Sequence, residues 1–354
     1  MKNPLCAHLR FFSGALSLTP CFSWVLPANP VGLNRFNGLE GTGFWTCARI
    51  QIKQGVSELG RWRKNLTSVP SFSPLHFLLT VTVAVFVSTA PSVLAAAPAP
   101  LRVLLITGGC CHDYARQKDI LKKGLEERAN VIVDQVHTDD TSTHPPLAIL
   151  GNPDYAKGYD LVIHDECAAD VSDPAKVEVV LKPHRDGLPG VNLHCGMHSY
   201  RIGNPNDPVT PGTPHGLWFE YLGLQSSTHG PQTPISIRYT GKETPIAKGL
   251  SDWTTITEEH YNNVHVFDSA HAIAHGVQVF KQKEGVQKTN DFVVAWINHY
   301  GPKKTRVFST TIGHNNATVE DPRYLDLVTR GVLWATGHLK DDGTPAKGYG
   351  PIGK

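Results

Sequence analysis

Aliphatic runs of strand length, each closed by glycine, acidic or histidine residues, constrain this chain more than any other feature. Residues 101–107 run into Gly108-Gly109, residues 131–136 follow, residues 159–164 run into Asp165-Glu166, and residues 191–195 end on Leu193-His194-Cys195. Between them, residues 115–128 have helical spacing through Ile120, Leu121 and Leu125, and residues 174–184 read as a second helix. Aliphatic strands separated by helix-length segments belong to parallel βαβ units, whose strands are buried on both faces. The expected class is therefore α/β, with a doubly wound, mostly parallel sheet. Ligands of such folds sit beyond the carboxyl ends of the strands, so His194 falls where the fold presents its chemistry.

Later strands are expected at residues 235–239, 292–297 and 306–311, and a last helix at 324–338 with Leu325, Val328, Val332 and Leu333 on one face. Asp321-Pro322 marks its start. Residues 204–230 are rich in Pro, Gly, Thr and His and read as one long loop, of the kind that is functional or disordered. The polar, glycine-rich residues 341–354 are expected to form a flexible tail.

The first 97 residues lack helical or strand periodicity and are expected to be a disordered extension. Within them lies an apolar core, residues 75–90, preceded by Arg61, Arg63 and Lys64 and followed by Val93-Leu94-Ala95. That layout is the three-part pattern of a secretory signal, short for a membrane span. Export to a periplasmic or extracellular location is the expectation, with an uncleaved membrane anchor through 75–90 as the alternative. The deep position of the signal implies either a start placed too far upstream or a true extension. A competing signal can also be read over residues 2–28. Residues 98–340 make up the expected α/β domain.

The extension holds eight of the 33 Lys/Arg and only two of the 31 Asp/Glu, so the remainder of the chain is mildly acidic. Without a basic stripe or interleaved aromatics there is no electrostatic footprint for nucleic acid. Cys110, Cys111, Cys167 and Cys195 follow the extension, spaced neither as a disulfide framework nor as paired zinc knuckles, and are expected to line one region. Gly108-Gly109-Cys110-Cys111 lacks the third glycine and acidic spacing of a dinucleotide fingerprint, so NAD is not expected.

If the strands are parallel, their carboxyl ends collect His112-Asp113, Asp165-Glu166, His194 to His198 and Gly313-His314-Asn315, with Thr257-Glu258-Glu259-His260-Tyr261 nearby. Each has a plain alternative: Asp165 and Glu166 as caps, His112 with Asp113 as a loop hydrogen bond, Glu258-Glu259-His260 as a solvated turn. His164, His184, His265, His271, His275 and His299 are left unassigned. His194 and His314 end aliphatic strands, where an unpartnered buried imidazole costs about 1–3 kcal/mol.

Over residues 101–339 the chain resembles the ThuA-like (trehalose utilisation) family, which has the fold of class I glutamine amidotransferases, itself of flavodoxin-like type. The resemblance rests on Thr107-Gly108-Gly109 with His112-Asp113, Val191-Asn192-Leu193-His194, Pro245-Ile246-Ala247-Lys248-Gly249-Leu250, Glu258-Glu259-His260-Tyr261, Ala295-Trp296 leading to Thr311-Ile312-Gly313-His314, and Arg330 to Gly337. Amidotransferases carry an elbow cysteine in Gly-Ile-Cys-x-Gly-x-Gln and a later His-Pro-Glu. Aligned on Gly196, the elbow cysteine falls on His194, and Gly313-His314-Asn315-Asn316 has no glutamate, so glutamine hydrolysis is not expected. Cys195 is one position late for a nucleophile.

The resemblance and the polar rim together imply action on a sugar or keto-sugar derivative, by hydrolysis, elimination or isomerisation. His194, His314 and Glu259 are the candidate catalytic residues. His194, His314 and His198, with His112 as an alternative, are the candidate ligands of a divalent metal such as zinc, which takes neutral imidazoles and a carboxylate. A metal-free pair, His194 with Glu259, would serve as general acid and base. His112, Asp113, Glu258, Tyr261 and Trp296 are the candidate substrate-binding residues, with Trp218, Tyr221, Tyr261 and Trp296 available to stack on sugar rings. The competing class is a noncatalytic carbohydrate-binding module.

Overall fold

The computed structural model describes residues 98–352. The expected extension and signal-like segment lie outside the described residues. The chain order is β1 (Leu101–Gly109), α1 (Tyr114–Glu126), β2 (Val131–His137), β3 (Leu161–Cys167), α2 (Pro174–Arg185), β4 (Gly190–Leu193), α3 (Leu217–Leu222), β5 (Leu224–Gln225), β6 (Thr233–Tyr239), β7 (Trp253–Glu258), β8 (His265–Val266), β9 (Ala270–Lys281), β10 (Gln287–Tyr300), β11 (Thr305–Thr310), α4 (Asn316–Val319) and α5 (Pro322–Ala335).

The main sheet has the order β2-β1-β3-β4-β11-β10-β9-β6-β7, while β5 and β8 pair separately. Its first five strands are parallel, the α/β arrangement expected of the sequence; the last four are joined by antiparallel pairing. Alternate residues of a strand face opposite sides of the sheet. In β1, Val103 and Leu105 pack with Leu121 and Leu125 of α1 and Leu325 and Val328 of α5. Leu104 and Ile106 join Val177, Val180 and Leu181 of α2 and Phe219 of α3. Both faces are thus covered, which is why β1 from Val103 to Ile106 and β3 from Leu161 to Ile163 are aliphatic.

Helix starts follow capping chemistry. Asp113, Asp173 and Asp321 each accept a backbone N–H in the first turn of α1, α2 and α5, and Pro174 and Pro322 occupy first positions where no amide donor is needed.

Three expectations change. Asp165 and Glu166 cap nothing: they lie inside β3, paired with Thr107 and Gly108 of β1. Residues 204–230 are not one loop, since α3 and β5 form within them around the buried Trp218, Phe219, Tyr221 and Leu222. The tail is also anchored: Asn130 donates through its backbone to the Tyr349 carbonyl at 3.2 Å and through its amide to the Gly348 carbonyl at 2.9 Å. Tyr349 packs on His338 with ring centroids 3.7 Å apart. Polar composition concealed these backbone anchors. No helix among the described residues is long and apolar enough to cross a membrane.

Candidate metal centre

Every parallel strand ends at one edge of the sheet, and the antiparallel extension returns there. β10 runs against β11, β9 with it, β6 against it and β7 with it again, so the residues after Glu258 emerge beside the carboxyl ends of β1, β4 and β11. Four side chains far apart in sequence converge at that edge: His112, His194, Glu259 and His314.

His194 opens a short 3-10 turn, His194–His198, directly after β4 and adopts φ +40°. A side chain with a β-carbon holds that left-handed conformation at a cost of about 1–2 kcal/mol, the kind of strain that gathers at functional sites. Gly196 makes the turn fit, because a β-carbon there would sit 2.7 Å from the His164 carbonyl oxygen. His194 Nδ1 donates to the Thr311 carbonyl at 2.7 Å, which leaves Nε2 facing the site.

His112 Nε2 lies 2.9 Å from His194 Nε2 and 3.1 Å from His314 Nδ1, and its other nitrogen meets the Tyr114 hydroxyl at 3.2 Å. Glu259 completes the group, with Oε2 3.5 Å from His194 Nε2 and Oε1 3.4 Å from His314 Nδ1. Gln232 donates to Glu259 Oε1 at 3.0 Å and orients it.

The loop carrying His314 is held from both sides. Gln117 donates to the Gly313 and His314 carbonyls. The Glu258 carboxylate accepts from the backbone N–H groups of Gly313, His314 and Asn315 at 3.4, 3.0 and 3.3 Å. Gly313, at φ +134°, brings the loop against Tyr324 and His194 where a β-carbon would not fit.

Electrostatics set distinct protonation tendencies. Burial, then the neighbouring charges of His194 and His314, lowers His112 to about 2, so it is neutral. Burial works to raise Glu259, but hydrogen bonds from His194 and His314 outweigh it and hold the carboxyl well below the usual range. Glu259 in turn raises His314 against the opposing effect of burial. A neutral imidazole, an ionised carboxylate and two further imidazoles therefore face one point.

The donor set fits a small divalent cation. Tetrahedral zinc with bonds near 2.0–2.1 Å has ligand-to-ligand edges of about 3.3 Å; His112 to His194, His112 to His314, and Glu259 to His194 and His314 are separated by 2.9 to 3.5 Å, and the four donors all lie within 4.8 Å of one another. The Thr311 carbonyl on His194 is the type of outer partner that fixes a ligating imidazole.

Several sequence expectations fall elsewhere. His198 does not join the group: its Nε2 donates to Ser226 Oγ at 2.9 Å and its ring stacks on Tyr261. His112 takes the place expected for it. Glu258 is fully buried and braces backbone, so it is not open to a substrate. Trp296 and Trp218 are buried and donate to the Leu222 and Gly196 carbonyls, and Tyr221 is buried as well, which removes them as sugar platforms. Tyr261 is buried too, but its hydroxyl reaches His194 Nε2 at 3.3 Å. Asp113 caps α1 and accepts from Asn316 Nδ2 at 2.7 Å. With Cys111, His112, His314, Asn315 and Asn316 it lines an open cavity of about 460 Å³ over the metal group. His229 was missed at the sequence level; it stands 3.5 Å from Glu259, in a stretch whose composition showed only a loop.

A family model described as ThuA, trehalose utilisation, matches residues 102–335. No curated protein matches the sequence. Among solved structures, a putative ThuA-like protein from Parabacteroides merdae superposes with a TM-score of 0.50 at 18% identity, covering 71% of this chain and 97% of that one. A second putative ThuA-like protein, from Bacteroides uniformis, gives 0.45 at 16% identity, covering 70% and 95%. A putative GMP synthase protein from Thermoplasma acidophilum gives 0.40 at 12% identity, covering 67% and 94%.

Proposed function

Because the chain belongs to the ThuA, or trehalose utilisation, family, we propose that it is a metal-dependent enzyme acting on a sugar or keto-sugar derivative, by hydrolysis, elimination or isomerisation. The observation that carries this reading is the convergence of His112, His194, Glu259 and His314 at ligand-to-ligand spacing beneath an open cavity. The three imidazoles would hold the cation, zinc being the best match to the donors, with the fourth position open to substrate and Glu259 beside it. When bound, the cation supplies a Lewis acid for a carbonyl or hydroxyl oxygen of the sugar.

The chain's own groups supply the rest. Asp113, Asn315 and Asn316 at the cavity mouth offer acceptors and amide donors to sugar hydroxyls. Glu259, ionised and oriented by Gln232, would accept a proton from a hydroxyl or water brought against His194. The buried Tyr261 hydroxyl, kept protonated by burial and by the Glu259 charge, remains a hydrogen-bond donor beside His194. The absence of an elbow cysteine and of the later glutamate argues against glutamine hydrolysis.

Metal analysis of the purified full chain and its His194→Ala and His314→Ala variants tests the reading, together with turnover of unmodified and keto-disaccharides with zinc, manganese, cobalt or magnesium. The expected result is one cation per chain, lost in both variants along with turnover. No turnover with any of these metals refutes the enzyme. Sugar binding that survives both substitutions would identify a binding module instead.

A further inference from the structure

Beside the metal group, and sharing none of its ligands, lie all four cysteines of the described residues. Cys110 is bonded to Cys111 and Cys167 to Cys195. The two pairs meet: Cys110 Sγ is 3.4 Å from Cys167 Sγ. They bridge the carboxyl ends of three parallel strands, since Cys110 follows β1, Cys167 ends β3 and Cys195 follows β4. The order of the four sulfurs is also an order of depth. Cys111 is exposed and lines the open cavity, Cys110 is half-buried, and Cys167 and Cys195 are 3% and 4% exposed.

Two disulfides at reacting distance, only one of them reachable from solvent, are more than a pair of staples. A disulfide between adjacent residues closes a loop too short to constrain the chain. Thiol–disulfide exchange proceeds by attack of a thiolate on a disulfide sulfur, and oriented reactants about 3–3.5 Å apart are in near-attack geometry.

We propose that these four cysteines form a thiol–disulfide exchange site whose substrate is a dithiol, taken up at Cys111 and answered by release of the Cys195 thiol beside His194. In the first step a thiolate of the dithiol attacks Cys111 Sγ, forms a mixed disulfide and expels Cys110 as thiolate. Cys110 then attacks Cys167 Sγ, forming a Cys110–Cys167 bond and expelling Cys195, which takes the proton given up by the first thiol. The second thiol of the reductant closes on the first, becomes its disulfide and releases Cys111, which takes the second proton. One dithiol is oxidised to one disulfide, and the protein changes from two disulfides to one disulfide and two thiols.

Non-reducing peptide mapping of the full chain tests this, and its readout is independent of any activity on sugars. The chain is treated with one molar equivalent of dithiothreitol, quenched with iodoacetamide and digested. The expected product carries labels on Cys111 and Cys195 together with a Cys110–Cys167 crosslink in most of the labelled molecules. The Cys111→Ser variant leaves Cys110 free to attack, so Cys195 is labelled before reductant is added. Labels on Cys110 and Cys111 with the Cys167–Cys195 bond intact would overturn the proposal. Four thiols labelled without reductant would overturn it equally, and would point to a thiolate-bound soft metal.

Discussion

Replacing Glu258 by glutamine isolates the brace that holds His314 in place. Glu258 is fully buried, and its two oxygens accept three backbone N–H groups from residues 313–315, the best at 3.0 Å. Glutamine keeps the shape but loses the charge and turns an amide N–H₂ towards backbone donors. The loss of charge assistance on the His314 amide costs about 1 kcal/mol, and at least one buried N–H left without an acceptor costs about 1–3 kcal/mol. The total is about 2–4 kcal/mol. For a domain of about 250 residues each kcal/mol moves Tm by about 2–4 °C, so calorimetry of the metal-free protein should show Tm lower by about 5–15 °C. A competitive zinc titration should show affinity reduced about 10–100-fold, as for loss of groups that orient ligands. A Tm within about 2 °C of the parent, or an unchanged zinc affinity with the expected Tm, would refute the argument that Glu258 acts by positioning His314.

Three further perturbations test the packing and the charge assignments. Burial, then the neighbouring His164, lowers His184 to about 3. The unfolded chain titrates this group near 6.5 and so binds the extra proton. Its contribution is intact above pH 6.5 and lost as pH falls towards 3, by at most about 1.4 kcal/mol per unit, and urea titrations should show a shallower dependence in His184→Asn. In α5, Gly331→Ala would place a β-carbon 2.2–2.7 Å from the Phe308 ring. Overpacking of about 1–3 kcal/mol should exceed the gain of about 1 kcal/mol in helix propensity, giving a lower urea midpoint. Trp296→Phe breaks the bond to the Leu222 carbonyl and should lower stability by about 1–3 kcal/mol. The KM for any sugar should not change, because the ring does not reach the cavity.

What the sequence made legible follows from which signals are local. Aliphatic stretches, Val103 to Ile106 and Leu161 to Ile163, made β1 and β3 visible, while β4 and β11 showed only Val191 with Leu193 and Val307-Phe308; His194 and His314 follow these last two strands. The antiparallel extension was harder to see. In β9, histidines, a glycine and a glutamine interrupt the alternation, and β7 is threonine-rich. Without those strands the depth of Trp296 could not be read, since it lies on β10, flanked by β11 and β9. His198 was misassigned because the turn after β4 is 3-10: at three residues per turn, a side chain four positions on points about 120° away from His194. Glu258 and Glu259 divided by the strand's period of two, one facing inward to bind backbone and the other facing the metal group.

The four side chains of the candidate metal group are drawn from positions 112 to 314 of a chain of 354. A ribosome-bound nascent polypeptide therefore has no complete chelating set until most of its length has been synthesised. On the proposed reading, ion loading would be a late event in the life of the molecule, and a fragment ending before residue 314 would present only part of the candidate set.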